Sequence, residues 1–230
     1  MPLCRIADLV VDIPYQYAYT AALTAGFHLP DGAACAPDLC LHAKETVKED
    51  SGVRPGAREA TAFLRDLAEK LPDFDGFILH ACTVAKDGSA YAFSAPSGTG
   101  KTTHARLWLD AFPGAFILNG DKPAVRRIDG AFRAYGTPWC GKENIRVNAS
   151  CPLAGLFFLE RAAQNRAERL SAAAALPLLL GQIAMPADTV RAERVWTLLD
   201  AFLRAVPVFR MHCNMEEEAA HVAFAAAAGE

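Results

Sequence analysis

Residues 91–108 read YAFSAPSGTGKTTHARLW. A phosphate-binding loop has the form G-x-x-x-x-G-K-[ST], and in this chain Ala95 occupies the first glycine position. A pattern that accepts either residue there arises by chance about once per ten thousand positions at average residue usage. The flanks add weight: AYAFSA reads as a strand, and Ala105, Trp108, Leu109 and Phe112 then fall at helical spacing until Pro113-Gly114 stops the run. A strand, a glycine-bearing loop and a helix in that order are what this chemistry needs.

Each residue type has a physical role in such a loop. Gly98 and Gly100 permit the backbone angles that turn successive N–H groups around an anion, so the amides from Pro96, Ser97, Gly98, Thr99 and Gly100 through Lys101, Thr102 and Thr103 are expected to bind phosphate. The helix that follows adds the partial positive charge of its N-terminus. Lys101 reaches terminal phosphates, and the Thr102 hydroxyl is a ligand for Mg²⁺. Ala95 is compatible with this if its φ is negative, because its methyl need not face the phosphates. A metal- or water-positioning acid belongs at the end of a neighbouring strand, and Asp121, after FILNG, stands there. The alternative for Asp121 is a turn residue ahead of Pro123.

Upstream, GFILHACTV reads as a buried strand and AKDGSA carries the Asp-Gly of a hairpin. GAREATAFLRDLAEKL reads as a helix, with Ala60, Leu64, Leu67 and Leu71 on one stripe. Before it, LVVDI and LCLHAKETV alternate loosely as strands and GFHLPDGAACAPD is loop chemistry. Downstream come AVRRIDGAFRAYG, a second Asp-Gly hairpin, and LAGLFFLE, a buried strand. The last third is expected to be mainly helical, with RAAQNRAERLSAAAALPLLLGQIAM as one helix and another after Asp188 that buries Val195, Leu199, Phe202 and Val206. VPVFRMHC reads as a late strand, and Asn214 with Glu217 as the capping box of a final helix.

Between these elements, YGTPWCGKENIRVN has no period and carries a tryptophan, a cysteine and cations, as functional loops often do. Lys142 and Arg146 are candidates to clamp phosphate or an anionic substrate, Trp139 to wall the pocket, and Glu143 to supply a carboxylate; a solvated connector is the alternative. Cys140 reads as filler rather than nucleophile, His104 as facing either nucleotide or solvent, and His212 and Cys213 as strand-end residues.

The 230 residues are 52% apolar and 21% charged with net charge −3, which suits one folded domain and gives no electrostatic case for nucleic acid or an anionic membrane. Seven scattered cysteines without C-x-x-C spacing, and no signal-like start, predict free thiols and a cytoplasmic setting. The longest apolar run is too short and too interrupted for a membrane span.

LHACTVAKDGSAYAFSAPSGTGKTT resembles the catalytic domain of the HPr kinase/phosphorylase family, including its histidine-bearing strand, hairpin, strand and loop, and the spacing from His80 to Lys101. SGTGKTT and LNGD also resemble the ATP-dependent phosphoenolpyruvate carboxykinases. The likeness covers about His80 to Val125; residues 1–75 match poorly and 76–230 are expected to form the nucleotide-binding core of a single domain. It implies an α/β fold with a strongly twisted mixed sheet, ATP and Mg²⁺ as cofactors, and His80 beside the reacting phosphate, where the residues alone suggest a core histidine. The implied activity is transfer of the γ-phosphate to a hydroxyl of a peptide, protein or metabolite, with the base drawn from Asp121, His80 or Glu143. Both families carry paired aspartates where this chain has GDK. A non-catalytic ATP-binding sensor is therefore the second reading, and a carboxykinase-like lyase a third.

Overall fold

The computed structural model describes residues 3–30, 35–43, 52–96 and 98–229. Its centre is a mixed sheet in which a single long strand, β10 (Ser150–Arg161), joins two halves. Strands β4 (Gly76–Ile78), β8 (Ala124–Ile128) and β9 (Ala131–Tyr135) form an antiparallel group that meets the start of β10. The second half of β10 lies parallel to β6 (Ser89–Ser94) and to β12 (Val208–Cys213). Beyond β6 come β5 (Cys82–Lys86) and β7 (Phe116–Asn119); beyond β12 comes β11 (Arg166–Arg169). A shift of register between Leu153 and Gly155 lets β10 change partners along its length.

Period-two alternation sorts the side chains to the two faces. Tyr91, Phe93, Phe157, Phe209 and Met211 pack under α3 (Lys101–Ala111) and α6 (Glu218–Ala228). Ala90, Ala92, Leu156, Phe158 and Val208 face the other way, under α4 (Ala172–Leu180) and α5 (Thr189–Ala205). Both faces are covered, which is why LAGLFFLE is continuously apolar rather than alternating. A third cluster lies at the N-terminal side, where β1 (Cys4–Ile6), β2 (Leu9–Asp12) and β3 (Leu39–Cys40) make a small sheet. It packs with α2 (Pro55–Lys70), through Phe63, Leu67 and, just past its end, Leu71, against Ile78 and Trp139, and α1 (Ala18–Thr24) lies on α2. Parts of LCLHAKETV and of GFHLPDGAACAPD lie outside the described residues.

Both Asp-Gly hairpins form as read. Asp87 and Gly88 have φ of 49° and 77°, and Asp129 and Gly130 have 50° and 84°, the left-handed pair that a two-residue turn requires. Four expectations are corrected. GFILHACTV is not one strand: β4 ends at Ile78 and pairs with β8, β5 starts at Cys82 and pairs with β6 and β7, and His80 lies between them. The last third is mixed rather than mainly helical, because it supplies most of β10 together with β11 and β12. RAAQNRAERL is not the start of a helix: Arg166–Arg169 pairs antiparallel with the edge of β12, and that pairing outweighs helix propensity. Asn214 does not cap α6. Its carboxamide oxygen accepts from Glu216 N at 2.9 Å, while α6 begins after Glu217 with no side-chain cap. On α3, Leu109 is exposed whereas Ala105, Trp108 and Phe112 are buried.

No helix among the described residues is long and apolar enough to cross a membrane.

Candidate functional site

The loop between β6 and α3 is set by its two glycines. Gly98 has φ of 79° and Gly100 of 122°. A Cβ at either would meet nothing within 4 Å, so backbone angle rather than crowding demands glycine there. Ala95 is not among the positive-φ residues, and it is buried with Cys82 and Trp108 in the core, away from the loop's open side. Its carbonyl accepts from Lys101 Nζ at 2.8 Å, which folds the ammonium back under the loop. Pro96 is exposed and accepts from Thr99 N at 3.2 Å; Ser97 lies outside the described residues. The first bond of α3 runs from His104 N to Gly100 O at 2.9 Å, so the N–H groups of its first turn have no intrahelical acceptor.

Sequence reading missed the residue that steadies this loop. Arg161, at the end of β10, donates to Thr99 O at 3.1 Å and to Gly98 O at 2.7 Å. Because a peptide unit is planar and trans, drawing the Thr99 carbonyl toward Arg161 aims the Gly100 N–H the opposite way. Nothing local in LFFLER announces this, since the contact crosses the sheet.

Opposite the loop stands Asp121. Asn119, fully buried, accepts from Asp121 N at 2.9 Å and Lys122 N at 2.7 Å, and donates to Thr137 O at 3.0 Å. Thr137 in turn donates to Lys122 O at 2.6 Å. Asparagine at a strand end is a turn signal, and here it fixes where the acid points. Gly120 is required for close approach: a Cβ would lie 2.6 Å from Cys140 O. His80 is fixed along its backbone, its N–H donating to Gln182 O and its carbonyl accepting from Ser94 Oγ, both at 2.8 Å. Its Nε2 lies 3.1 Å from Asp121 Oδ1.

Lys101, Thr102, Thr103, Gly98, Gly100, His80 and Asp121 all line one cleft of about 540 Å³, with Cys140, Lys142 and Glu143 at its other lip. Burial pushes the Asp121 carboxyl up, but the His80 hydrogen bond and the charges of Lys122 and Lys101 outweigh it and leave it below the usual range. Burial lowers the ammonium of Lys101, against the opposing pull of Asp121, and does the same to Lys122, whose Nζ is 3.7 Å from Asp121 Oδ2. A second cavity of about 460 Å³ shares Gly98, Gly100 and Thr103 and continues to His104, Leu159, Cys213 and Met215.

The structure separates the residues of the aperiodic loop. Lys142 is exposed at the lip, and Glu143 pairs with exposed Arg106 at 2.8 Å. Trp139 does not wall the cleft: it is 7% exposed, donates to Ala60 O at 2.7 Å and belongs to the N-terminal core. Arg146 is not a cleft residue; it donates to Leu23 O at 3.0 Å and Ala22 O at 3.4 Å, to Asn144 Oδ1, and approaches Cys140 Sγ at 3.3 Å. His104 does not line the phosphate cleft; it borders the second cavity and is otherwise buried. It is 2% exposed, accepts from Trp108 Nε1 at 3.4 Å, and burial drops its pKa to about 4. His212 sits 3.7 Å from both Glu160 and Glu168 on neighbouring strands, and Cys213 lines the second cavity. Among the described residues no group of three or more histidine, cysteine or acid side chains is placed to hold a metal alone.

No family model matches the chain, and no curated protein matches it. Among solved structures, the Hpr(Ser) kinase/phosphatase from Coxiella burnetii is similar over 66% of this chain and 95% of its own, at 7% identity and a TM-score of 0.37.

Proposed function

We propose that this chain is a kinase that moves the terminal phosphoryl group of ATP to a hydroxyl. One observation carries the reading: the cationic, amide-rich start of α3 and the His80–Asp121 pair face each other across the same cleft. Polyphosphate would lie against the first turn of α3 and Lys101, with the nucleoside in the adjoining cavity that shares the loop glycines.

Thr102 and Asp121 would hold Mg²⁺, which when bound neutralises phosphate charge. One hydroxyl and one carboxylate fit an ion that keeps several waters and takes its other ligands from substrate phosphates. The other steps belong to side chains. If Nε2–H of His80 donates to Asp121, Nδ1 is left as the acceptor, and it has no hydrogen-bond partner among the described residues. It would take the acceptor's proton while Asp121 steadies the imidazolium that forms. The acceptor oxygen bonds to phosphorus, the bridging P–O bond breaks, and its electron pair leaves with ADP. Positioning and charge stabilisation by Lys101 and the amides supply most of the acceleration.

Calorimetry with MgATP tests this. Wild-type protein should bind it, and Lys101→Met should weaken binding at least about tenfold, the worth of a charge-assisted hydrogen bond. Asp121→Asn should keep nucleotide affinity within a few-fold while losing transfer. Folded wild-type protein with no affinity for MgATP would sink the proposal. The second reading, a sensor that binds without turnover, draws on Lys122 standing where an acid is expected; it predicts tight MgATP binding and no transfer to any acceptor.

A further inference from the structure

His80 lines two cavities. Besides the phosphate cleft, it borders a groove of about 270 Å³ on the side away from the loop. One wall comes from α2, where Leu64, Arg65 and Ala68 stand at adjacent positions of one helix edge. Ile78, at the end of β4, forms the floor, and the segment after α4 forms the other wall with Gln182 and Ile183. That segment is held in place, since Gln182 O accepts from His80 N at 2.8 Å and Ile183 bridges to Leu79. The groove is therefore built from three separate elements that converge on one ring.

Its chemistry is unbalanced. Arg65 and Lys122 line it, and no carboxylate does. Lys122 is partly compensated by Asp121, but Arg65 is exposed and makes no hydrogen bond or ion pair among the described residues. Gln182 Oε1 is buried without a hydrogen-bond partner, an acceptor that lacks a donor. Leu64, Ala68, Ile78 and Ile183 give the rest of the lining an aliphatic surface. A water occupies about 30 Å³ of liquid, so the space suits a molecule of roughly ten heavy atoms or fewer.

We propose that this groove is the acceptor site, and that the acceptor is a small aliphatic alcohol carrying an anionic group. The assignment rests on the kinase reading above. The anion pairs with Arg65 and Lys122, the hydroxyl reaches His80, and phosphates in the neighbouring cleft approach His80 from its other side. In transfer, the acceptor's O–H proton passes to His80 as its oxygen bonds the phosphorus, and ADP leaves with the electrons of the broken P–O bond. The residues before 76 then have a part in the chemistry, because α2 selects the substrate.

The test uses the full chain and three probes: 3-hydroxybutyrate, glycerol 3-phosphate and uncharged 1,3-butanediol. Saturation-transfer NMR reads binding with and without MgATP, and phosphate transfer is followed by product NMR. One anionic probe should bind and be phosphorylated, and which one tells carboxylate from phosphate; the diol should do neither. Arg65→Gln should raise the acceptor KM about tenfold with kcat nearly unchanged, and Arg65→Glu should raise it further. MgATP affinity, measured beside each variant, reads the other cleft. Normal MgATP binding with no binding of either anion overturns this inference and leaves the kinase reading standing. So does equal use of the diol, or a KM indifferent to charge at position 65. If an anion binds but MgATP does not, the kinase reading fails and the acceptor role fails with it.

Discussion

Burial of His104 against Phe93 and Trp108 takes a titratable ring out of water with only one hydrogen bond to show for it. Trp108 donates to Nε2, so the proton resides on Nδ1, which has no partner. The folded chain binds a further proton there only near pH 4, the unfolded chain near 6.5. Unfolded protein therefore holds more protons between these values, and stability falls as pH drops through that window. At about 1.4 kcal/mol per pH unit the loss comes to about 3 kcal/mol, complete by pH 4. Asp121 acts lower down: its carboxyl is below the usual range when folded, so its contribution is present above pH 3.8 and lost beneath it. Urea unfolding of wild type and His104→Phe at pH 7, 5.5 and 4.5 separates the two residues. The variant should lack most of the decline over this range, and parallel curves would contradict the assignment.

Elements here close on one another through backbone approaches that side-chain patterns do not reveal. After β9, Gly136 N donates to Ala149 O at 3.0 Å, and a Cβ at Gly136 would lie 1.8 Å from Val147 O. Val147 N in turn bonds Leu118 O at 3.0 Å, so the 145–147 segment continues alongside β7 and forms the base on which Gly120 and Asp121 sit. Gly136→Ala must push backbone aside, a cost of about 3 kcal/mol by analogy with overpacked cores. That corresponds to a melting temperature lower by about 6–12 °C for a chain of this size. Calorimetric scanning checks it; an unchanged melting point would show that the segment can yield. Such contacts mark the limit of what sequence conveys. The Asp-Gly turns, the α2 stripe and the glycines of the loop were readable because each is a local demand on backbone angle or period. The pairing of β11 with β12, the strap from Arg161 and the burial of Trp139 under α2 are long-range, and no short window encodes them. Asp121 is legible as a strand-end acid, and only the family resemblance brings His80 beside the reacting phosphate; the 3.1 Å between them depends on the Asn119–Thr137 lock.

Across the molecule, the N-terminal segment is tied to the lip of the cleft by a chain of polar contacts. Glu59 on α2, 8% exposed, accepts from Gln16 N at 2.6 Å, Tyr17 N at 3.3 Å and Thr20 Oγ1 at 2.5 Å, which places a carboxylate at the start of α1. The last turn of α1 offers its Ala22 and Leu23 carbonyls to Arg146. Arg146 then reaches Asn144 and Cys140, which flank Gly141, Lys142 and Glu143 at the cleft edge. A guanidinium can satisfy carbonyls on one side and loop atoms on the other because its donors spread in a fixed plane. Arg146→Met keeps the length of the side chain and removes every donor, so it should loosen both ends together. Hydrogen exchange should accelerate in residues 140–146 and in 18–24, with global stability lower by about 1–2 kcal/mol. Glu59→Gln enters the same chain from its far end and should speed exchange at 140–146 although it touches nothing there. Faster exchange confined to 16–24 in that variant would mean that α1 moves alone, and that the N-terminal segment and the cleft are neighbours without being coupled.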